Sequence, residues 1–232
     1  MKSEALSYLQ GDELLHMSMI FPIQRGTVEL IYAGDDGVFL KELESGAYML
    51  SVKHPNRGKE LLESVGKQEL FCVHQEYIVD YLLKKYHFQN HLECFQAVYP
   101  HKARIGAKSA ALTIRKLGVE HADTISCHYH EYVDQGYIMS RLERGELYGG
   151  FLGDVLCGFI GTHEEGTIGL LKVLEQYRRR GFGAELECFM INLIVDKGQT
   201  PFAQVSIDNT VSIKLQKKLG FQISKDTLHW LF

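Results

Sequence analysis

The stretch EQYRRRGFGAELE (residues 175–187) runs three arginines into Gly181-Phe182-Gly183 and then into a strongly helical segment. The first N–H groups of a helix have no internal partners, and the helix dipole makes that end positive. Glycines at 181 and 183 let the backbone approach a ligand closely, and the guanidiniums of Arg178, Arg179 and Arg180 suit phosphate oxygens. Together they describe a cradle for a phosphate or pyrophosphate. Taken alone, a solvated basic turn ahead of a helix would read the same way. Two familiar cradles are excluded. No Gly-Lys-Ser/Thr follows, so the loop is not of Walker type. Leu186 stands where the third glycine of a dinucleotide fingerprint belongs, and the preceding strand reads as part of an antiparallel meander rather than a βαβ unit.

Around this loop the C-terminal part is regular. ALTIRKL (111–117) alternates as a strand and two helical segments follow, near 119–127 and 133–144, the second stopped by Gly145. ELYGGF, VLCGFIGTH and GTIGLLKV are three strands joined by the turns LGD and EEG. In the helix after the arginines, Leu186, Phe189, Met190, Leu193 and Ile194 form a buried stripe, and Asp196-Lys197-Gly198 ends it. PFAQVSI is the next strand, NTVSIKLQKKLG a helix with Asn209 to cap it and Gly220 to stop it, and FQISKDTLHWLF a closing hairpin.

PHKARIGAKSA (100–110) has no apolar period and divides the chain at residues 1–104 and 105–232. Before it, three meander strands, a helix, a strand, a helix and a strand repeat the element order seen from Glu146 onward. LLKKYHF (82–88) echoes LQKKLGF (215–221), and VKHPNRGKELL (52–62) echoes a shortened 173–186 that has lost its second glycine. A duplication and a chance likeness of short strings would both leave such traces. A real copy would have lost its ligand loop and serve a structural or substrate-shaping role.

The loop resembles the signature of the GNAT superfamily of acyl-CoA-dependent N-acyltransferases, Arg/Gln-x-x-Gly-x-Gly/Ala, matched by Arg178, Gly181, Gly183 and Ala184. DNTVSIKLQKKLGF (208–221) is similar to the superfamily's Asn-x-x-Ser helix, at the right separation. With FIGTHEEGTIGLLKV and the extra N-terminal part, the flavour resembles the glycine-acyltransferase-like branch. The resemblance implies an α/β (α+β) fold with a mixed, mostly antiparallel sheet flanked by helices, preceded by a smaller α/β domain that is a candidate degenerate copy. It implies acetyl-CoA, or another small acyl-CoA, as donor and a primary amine as acceptor. Leu171, Lys172 and Val173 would offer backbone groups to the pantetheine arm in the manner of an added strand. Arg178, Arg179, Arg180, Gly181, Phe182, Gly183 and Ala184 would hold the pyrophosphate. Asn209, Ser212 and Gln216 would line the arm or the sulfur end, with Lys214 or Lys217 toward the adenosine phosphates unless they are a solvated helix face.

The sequence departs from the superfamily in its catalytic groups. Acyl transfer needs a base for the ammonium, donors for the oxyanion and a proton for the departing thiolate. The resemblance puts the oxyanion donor, a backbone N–H, near Val173. Gln216 stands where a tyrosine usually protonates the thiolate, and glutamine is no acid near neutral pH. Thr167-Ile168-Gly169 stands where many members carry a glutamate base, so the candidates are His163, Glu164 and Glu165 at the hairpin before it, unless these form only a polar turn. The two vacancies motivate an alternative, a catalytically silent acyl-CoA-binding protein. CHYHEY (127–132) invites a metal, but no second ligand cluster accompanies it, so no metal is expected.

The bulk properties narrow the partners. A formal net charge of −4 over 232 residues gives no reason to expect nucleic acid or an anionic membrane. The apolar run 188–195 is broken by Asn192 and too short to span a bilayer, and Glu4, Asp12 and Glu13 argue against a signal peptide. Five scattered cysteines read as reduced thiols, which points to the cytoplasm. The expected state is a monomer or homodimer.

Overall fold

The computed structural model describes residues 1–106, 110–129 and 133–232. Helices α1 (Lys2–Leu9) and α2 (Glu13–Arg25) come first, followed by the strands β1 (Val28–Gly34), β2 (Gly37–Glu42) and β3 (Tyr48–Val52). Then follow α3 (Pro55–Val65), β4 (Phe71–Val73), α4 (Glu76–Tyr86) and β5 (His91–Val98). The C-terminal part holds β6 (Thr113–Lys116), α5 (Ala122–His128), α6 (Gln135–Glu143), β7 (Leu147–Leu152), β8 (Val155–Thr162) and β9 (Ile168–Val173). It ends with α7 (Phe182–Asp196), β10 (Phe202–Ser206), α8 (Thr210–Leu219) and β11 (Gln222–Leu231). No helix among the described residues is long and apolar enough to cross a membrane.

Among the described residues all strands join one 11-stranded sheet, in the order β1-β2-β3-β4-β11-β5-β10-β9-β8-β7-β6. Its order is nearly the same from either end: a meander, then a parallel partner (β4 on β3, β10 on β9), then a strand from the opposite half. β5 pairs with β10, β11 pairs with β4, and the two exchanged strands pair with each other at the centre. The two halves are thus related by a pseudo-twofold through the β5/β11 seam, with β6 as an extra edge strand.

Alternation along the strands sorts the helices into two layers. Phe159 packs with α5 and α6 while its neighbour Ile160 packs with α7. On β5, Val98 packs with Met17 and Phe21 of α2, while Ala97 and Tyr99 pack in the α7/α8 core. Leu228 lies in the α1/α2 core and Leu231 in the α3/α4 core. So α1, α2, α5 and α6 cover one face, and α3, α4, α7 and α8 the other.

Four features differ from the sequence reading. The closing segment is not a hairpin: β11 is one strand whose register shifts between Ile223 and Thr227, where Ser224 Oγ accepts from Gln96 N and donates to Asp226 O. The first 26 residues, which carry no element in the sequence reading, hold α1 and α2; Asp12 caps α2 by accepting from Leu15 N at 3.1 Å. β9 closes the antiparallel meander on one side but opens a β-α-β crossover on the other, since it pairs parallel with β10 at Ile168 and Ala203. The dividing segment includes residues outside the described set, and its described ends are pinned to α7. Asn192 makes two bonds to the backbone of Ile105, at 2.8 and 2.9 Å, and Glu185 accepts from Leu112 N at 2.7 Å.

Candidate active site

β9 and β10 share a single pairing, Ala203 with Ile168, and then diverge. Across β9, the register with β8 moves from Gly161 and Gly169 to Phe159 and Lys172, so β9 carries one residue more than β8 and bulges. Leu170, at the bulge, holds a left-handed φ of 53°, unusual for a branched residue. Bulge and divergence leave the β10-facing edge of β9 beyond Gly169 without a ladder, a wedge open at the strands' C-terminal ends.

The arginine loop sits over this open end. Arg178 Nε donates to Val173 O at 3.3 Å, tying the loop to the end of β9. Arg179 and Gly181 take φ of 64° and 85°, turning the chain so that α7 starts with no side-chain cap. Arg178, Arg179 and Arg180 are exposed, and Arg180 lies over the Tyr177 ring at 5.6 Å. Gly181 is required by its conformation. Gly183 is not: a Cβ there would meet only Val173 Cγ2 at 3.7 Å and Leu215 Cδ2 at 3.9 Å, ordinary contacts. The missing side chain leaves space above an uncapped helix end, which a bound anion can use.

At the start of α8, the Asn209 side chain accepts from Ser212 N at 3.0 Å as the cap. Lys214 and Lys217 are exposed. Gln216 is buried, and its Nε2 donates to Glu187 Oε1 at 2.8 Å.

The three hairpin candidates separate. The His163 ring sits where a Cβ of Gly169 would lie, so it reaches the root of the wedge. Its Nδ1 is 2.7 Å from Tyr137 Oη on α6. Burial lowers the His163 pKa, keeping the imidazole neutral near neutral pH, and burial raises that of Tyr137, keeping the phenol protonated. Glu165 is buried and accepts from Thr167 Oγ1 at 2.5 Å. Glu164 is half-buried, and burial raises its pKa. Arg141 of α6 is buried; its Nε donates to Thr162 O at 3.0 Å while Nη1 has no partner among the described residues. Tyr137, Arg141 and Glu187 were missed by the sequence reading. In sequence they are a helix tyrosine, a helix arginine and the second glutamate of an ordinary ELE, with no spacing to mark them. Among the described residues no three His, Cys, Asp or Glu side chains could hold a metal ion, and His130 of the CHYHEY segment lies outside the described set.

A mixed sheet whose parallel β9/β10 pair splays, a bulge in β9 and a glycine-bearing helix start over the gap together decide the fold. The chain has the GNAT fold. Residues 147–231 match the family of FR47-like proteins. A structural-genomics target from Drosophila has TM-score 0.71 at 17% identity, covering 99% of this chain and 94% of that one. A GCN5-related N-acetyltransferase-like protein from Streptococcus suis has 0.59 at 12%, covering 98% and 99%. A GCN5-related N-acetyltransferase from Kribbella flavida has 0.59 at 14%, covering 94% of each chain. The coverage means that these structures share both halves, not the GNAT unit alone. No curated protein matches the sequence.

The N-terminal counterpart of the GNAT wedge is closed. β3 and β4 pair at Tyr48/Phe71, Met49/Cys72 and Leu50/Val73, and His74 N extends the ladder to Leu50 O. Beyond it, Gln75 Oε1 accepts from Val52 N at 2.9 Å and Tyr77 Oη donates to Val52 O at 2.6 Å. Ser51, Tyr8 and His16 fill the remainder, with His16 Nε2 at 2.8 Å from Ser51 Oγ. The helix that follows starts on Pro55 rather than on glycine, and the space over Gly58 is taken by Ile78.

Proposed function

We propose that the protein is an N-acyltransferase that moves an acetyl or other small acyl group from acyl-CoA directly to a primary amine, using one site in the half spanning residues 105–232. The observation that carries this reading is the β9/β10 wedge, which ends at an uncapped helix start with a glycine the fold does not need at position 183. The β10-facing side of β9 over Leu171, Lys172 and Val173 takes the pantetheine arm as an added strand. The amides of residues 179–184 hold the pyrophosphate, with Arg178, Arg179 and Arg180 around it. Asn209 and Ser212 line the mouth, and Lys214 and Lys217 face the adenosine phosphates.

The chemistry needs no group beyond those described. A neutral His163 takes a proton from the acceptor's ammonium, directly or through a water, while Tyr137 orients its ring. The amine nitrogen attacks the thioester carbonyl, forming the C–N bond, and a backbone N–H near Val173 stabilises the oxyanion. Collapse breaks the C–S bond and releases a thiolate, which leaves without a tyrosine acid because a thiol is acidic enough (pKa about 8.5); the attacking nitrogen gives its second proton to water, from which the thiolate takes its own. The half spanning residues 1–104 shapes the acceptor face, where Phe21 of α2 packs against Gly166 of the His163 hairpin.

Calorimetric titration with acetyl-CoA and with free CoA tests the reading. One equivalent bound, followed by turnover in an amine panel, is expected. Binding without turnover on any amine leaves an acyl-CoA-binding protein. No binding of CoA, acetyl-CoA or longer acyl-CoA overturns the site.

A further inference from the structure

Glu187 and Gln216 play no part in the transfer just described, yet both are shut from water, at 1% and 2% exposure. Glu187 stands on α7 one turn beyond Gly183. Gln216 follows Leu215, the α8 residue that borders the space at Gly183. The pair therefore lies one turn inward from the helix start at which the proposed acyl-CoA site ends. Gln216 Nε2 donates to Glu187 Oε1 at 2.8 Å, and Gln216 Oε1 is left buried with no partner among the described residues. A buried amide oxygen ordinarily has one.

A carboxylate only accepts hydrogen bonds, so an ionised Glu187 holds the nitrogen end of the amide and turns the oxygen away. A protonated carboxyl can also donate. It can then hold Gln216 Oε1 with its hydroxyl and turn the two N–H groups away. We propose that Glu187 is a positioning residue whose protonation decides whether Gln216 presents an acceptor or a donor to the acyl-CoA arm. The proposal rests on the acyl-CoA reading above. With Glu187 ionised, the amide oxygen accepts from an amide N–H or the thiol of the arm. With Glu187 holding a proton taken from water, the amide N–H suits a carbonyl or a thiolate.

The electrostatics put the change in a useful range. Burial raises Glu187 to about 7, opposed by the bond from Gln216. The other titratable or charged groups on the elements packed around it are Glu185, Cys188 and Asp196 on α7, Lys214, Lys217 and Lys218 on α8, Lys172 on β9 and Cys157 on β8. None of them contributes to the Glu187 shift.

The test starts without ligand. In the 15N-labelled chain, the Gln216 side-chain amide, assigned by its loss in Gln216→Leu, is followed between about pH 5.5 and 8.5. Its signals are expected to move with a midpoint near 7 and to stay still in Glu187→Gln. Acetyl-CoA affinity is then expected to change about fivefold over that range in the wild type, one hydrogen bond made or lost, and less than about twofold in Glu187→Gln. A Gln216 amide that does not titrate overturns the proposal, as does equal pH dependence of affinity in both proteins. Absence of binding in both proteins is instead the failure of the acyl-CoA reading. If Glu187→Gln does not fold, the Glu187 carboxyl carbon of the wild type is titrated directly, and a midpoint at its ordinary 4.5 overturns the proposal.

Discussion

Replacing Glu187 by glutamine should make the protein more stable, and only above a defined pH. The side chain is 1% exposed, and burial raises its pKa from the ordinary 4.5 to about 7. A rise of that size corresponds to about 3 kcal/mol against the ionised form. Its sign follows from proton binding. Below pH 4.5 folded and unfolded chains both hold the proton, and Glu187 contributes no pH dependence. Between 4.5 and about 7 the folded chain holds it and the unfolded chain does not, so stability falls as pH rises. Above about 7 both are ionised and the full cost is present. Glutamine keeps the size and can still bond Gln216, but never ionises. For a chain of this length about 3 kcal/mol is a shift of about 6–10 °C in thermal midpoint. Scanning calorimetry from about pH 4.5 to 8.5 should therefore show the two midpoints together at the acid end and Glu187→Gln higher by several degrees at the basic end. A constant separation, or a variant that is less stable at the basic end, would refute the reasoning and show that the carboxyl is not held neutral by burial.

Gly183→Asp is expected to abolish binding of free CoA in calorimetry, because its carboxylate would face the pyrophosphate, while the thermal midpoint stays within a few degrees because a Cβ there meets only Val173 and Leu215 at ordinary distance. Unchanged CoA affinity would remove the site. His163→Ala should lower kcat by about 10²–10⁴ with little change in the KM for acyl-CoA. The wild-type rate should lose activity toward acid with a midpoint below the ordinary histidine value of 6.5, since burial lowers this pKa, and the variant should lack that limb; an identical limb in both would show that His163 is not the base. Gln75→Ala should cost about 1–3 kcal/mol by stripping Val52 N of its partner, and leave one equivalent of CoA bound at unchanged affinity. A second equivalent would mean the N-terminal wedge is merely latched.

Most elements could be read from the sequence because their ends are chemically marked: Asn209 caps α8, Gly220 stops it with a φ of 93°, and Gly166 turns the His163 hairpin with 96°. What escaped was unmarked or marked misleadingly. In α2 nine consecutive residues, 15 to 23, are buried, so no polar face shows a helical period. Ser224-Lys225-Asp226 is a turn by composition, yet here it is a bulge inside a strand. The exchange of β5 and β11 is invisible because a strand's sequence records which of its faces is buried but not which strand lies beside it. The site divides in the same way. The turn into α7 was legible because a glycine ahead of a helical run encodes a local backbone shape. The surroundings of His163 were not, because Tyr137 and Arg141 reach it from a helix more than twenty residues earlier.

The two halves share a topology, and the comparison shows what keeps one wedge open. A parallel pair that splays leaves backbone N–H and C=O groups with no ladder, and buried groups of this kind must find partners. In the N-terminal half they find them within the chain: Gln75 supplies the acceptor for Val52 N, Tyr77 the donor for Val52 O, and Ile78 fills the space above Gly58. In the C-terminal half the carbonyl of Val173 receives a 3.3 Å bond from the exposed Arg178, and a Cβ on Gly183 would meet its neighbours only at ordinary distance. Symmetry of fold therefore does not extend to the state of the wedge. Where side chains close it, the helix that follows starts on Pro55 and the space above Gly58 is filled. Where none closes it, the edge and the uncapped helix end, with Gly181 and Gly183 at it, are what the proposed acyl-CoA site uses.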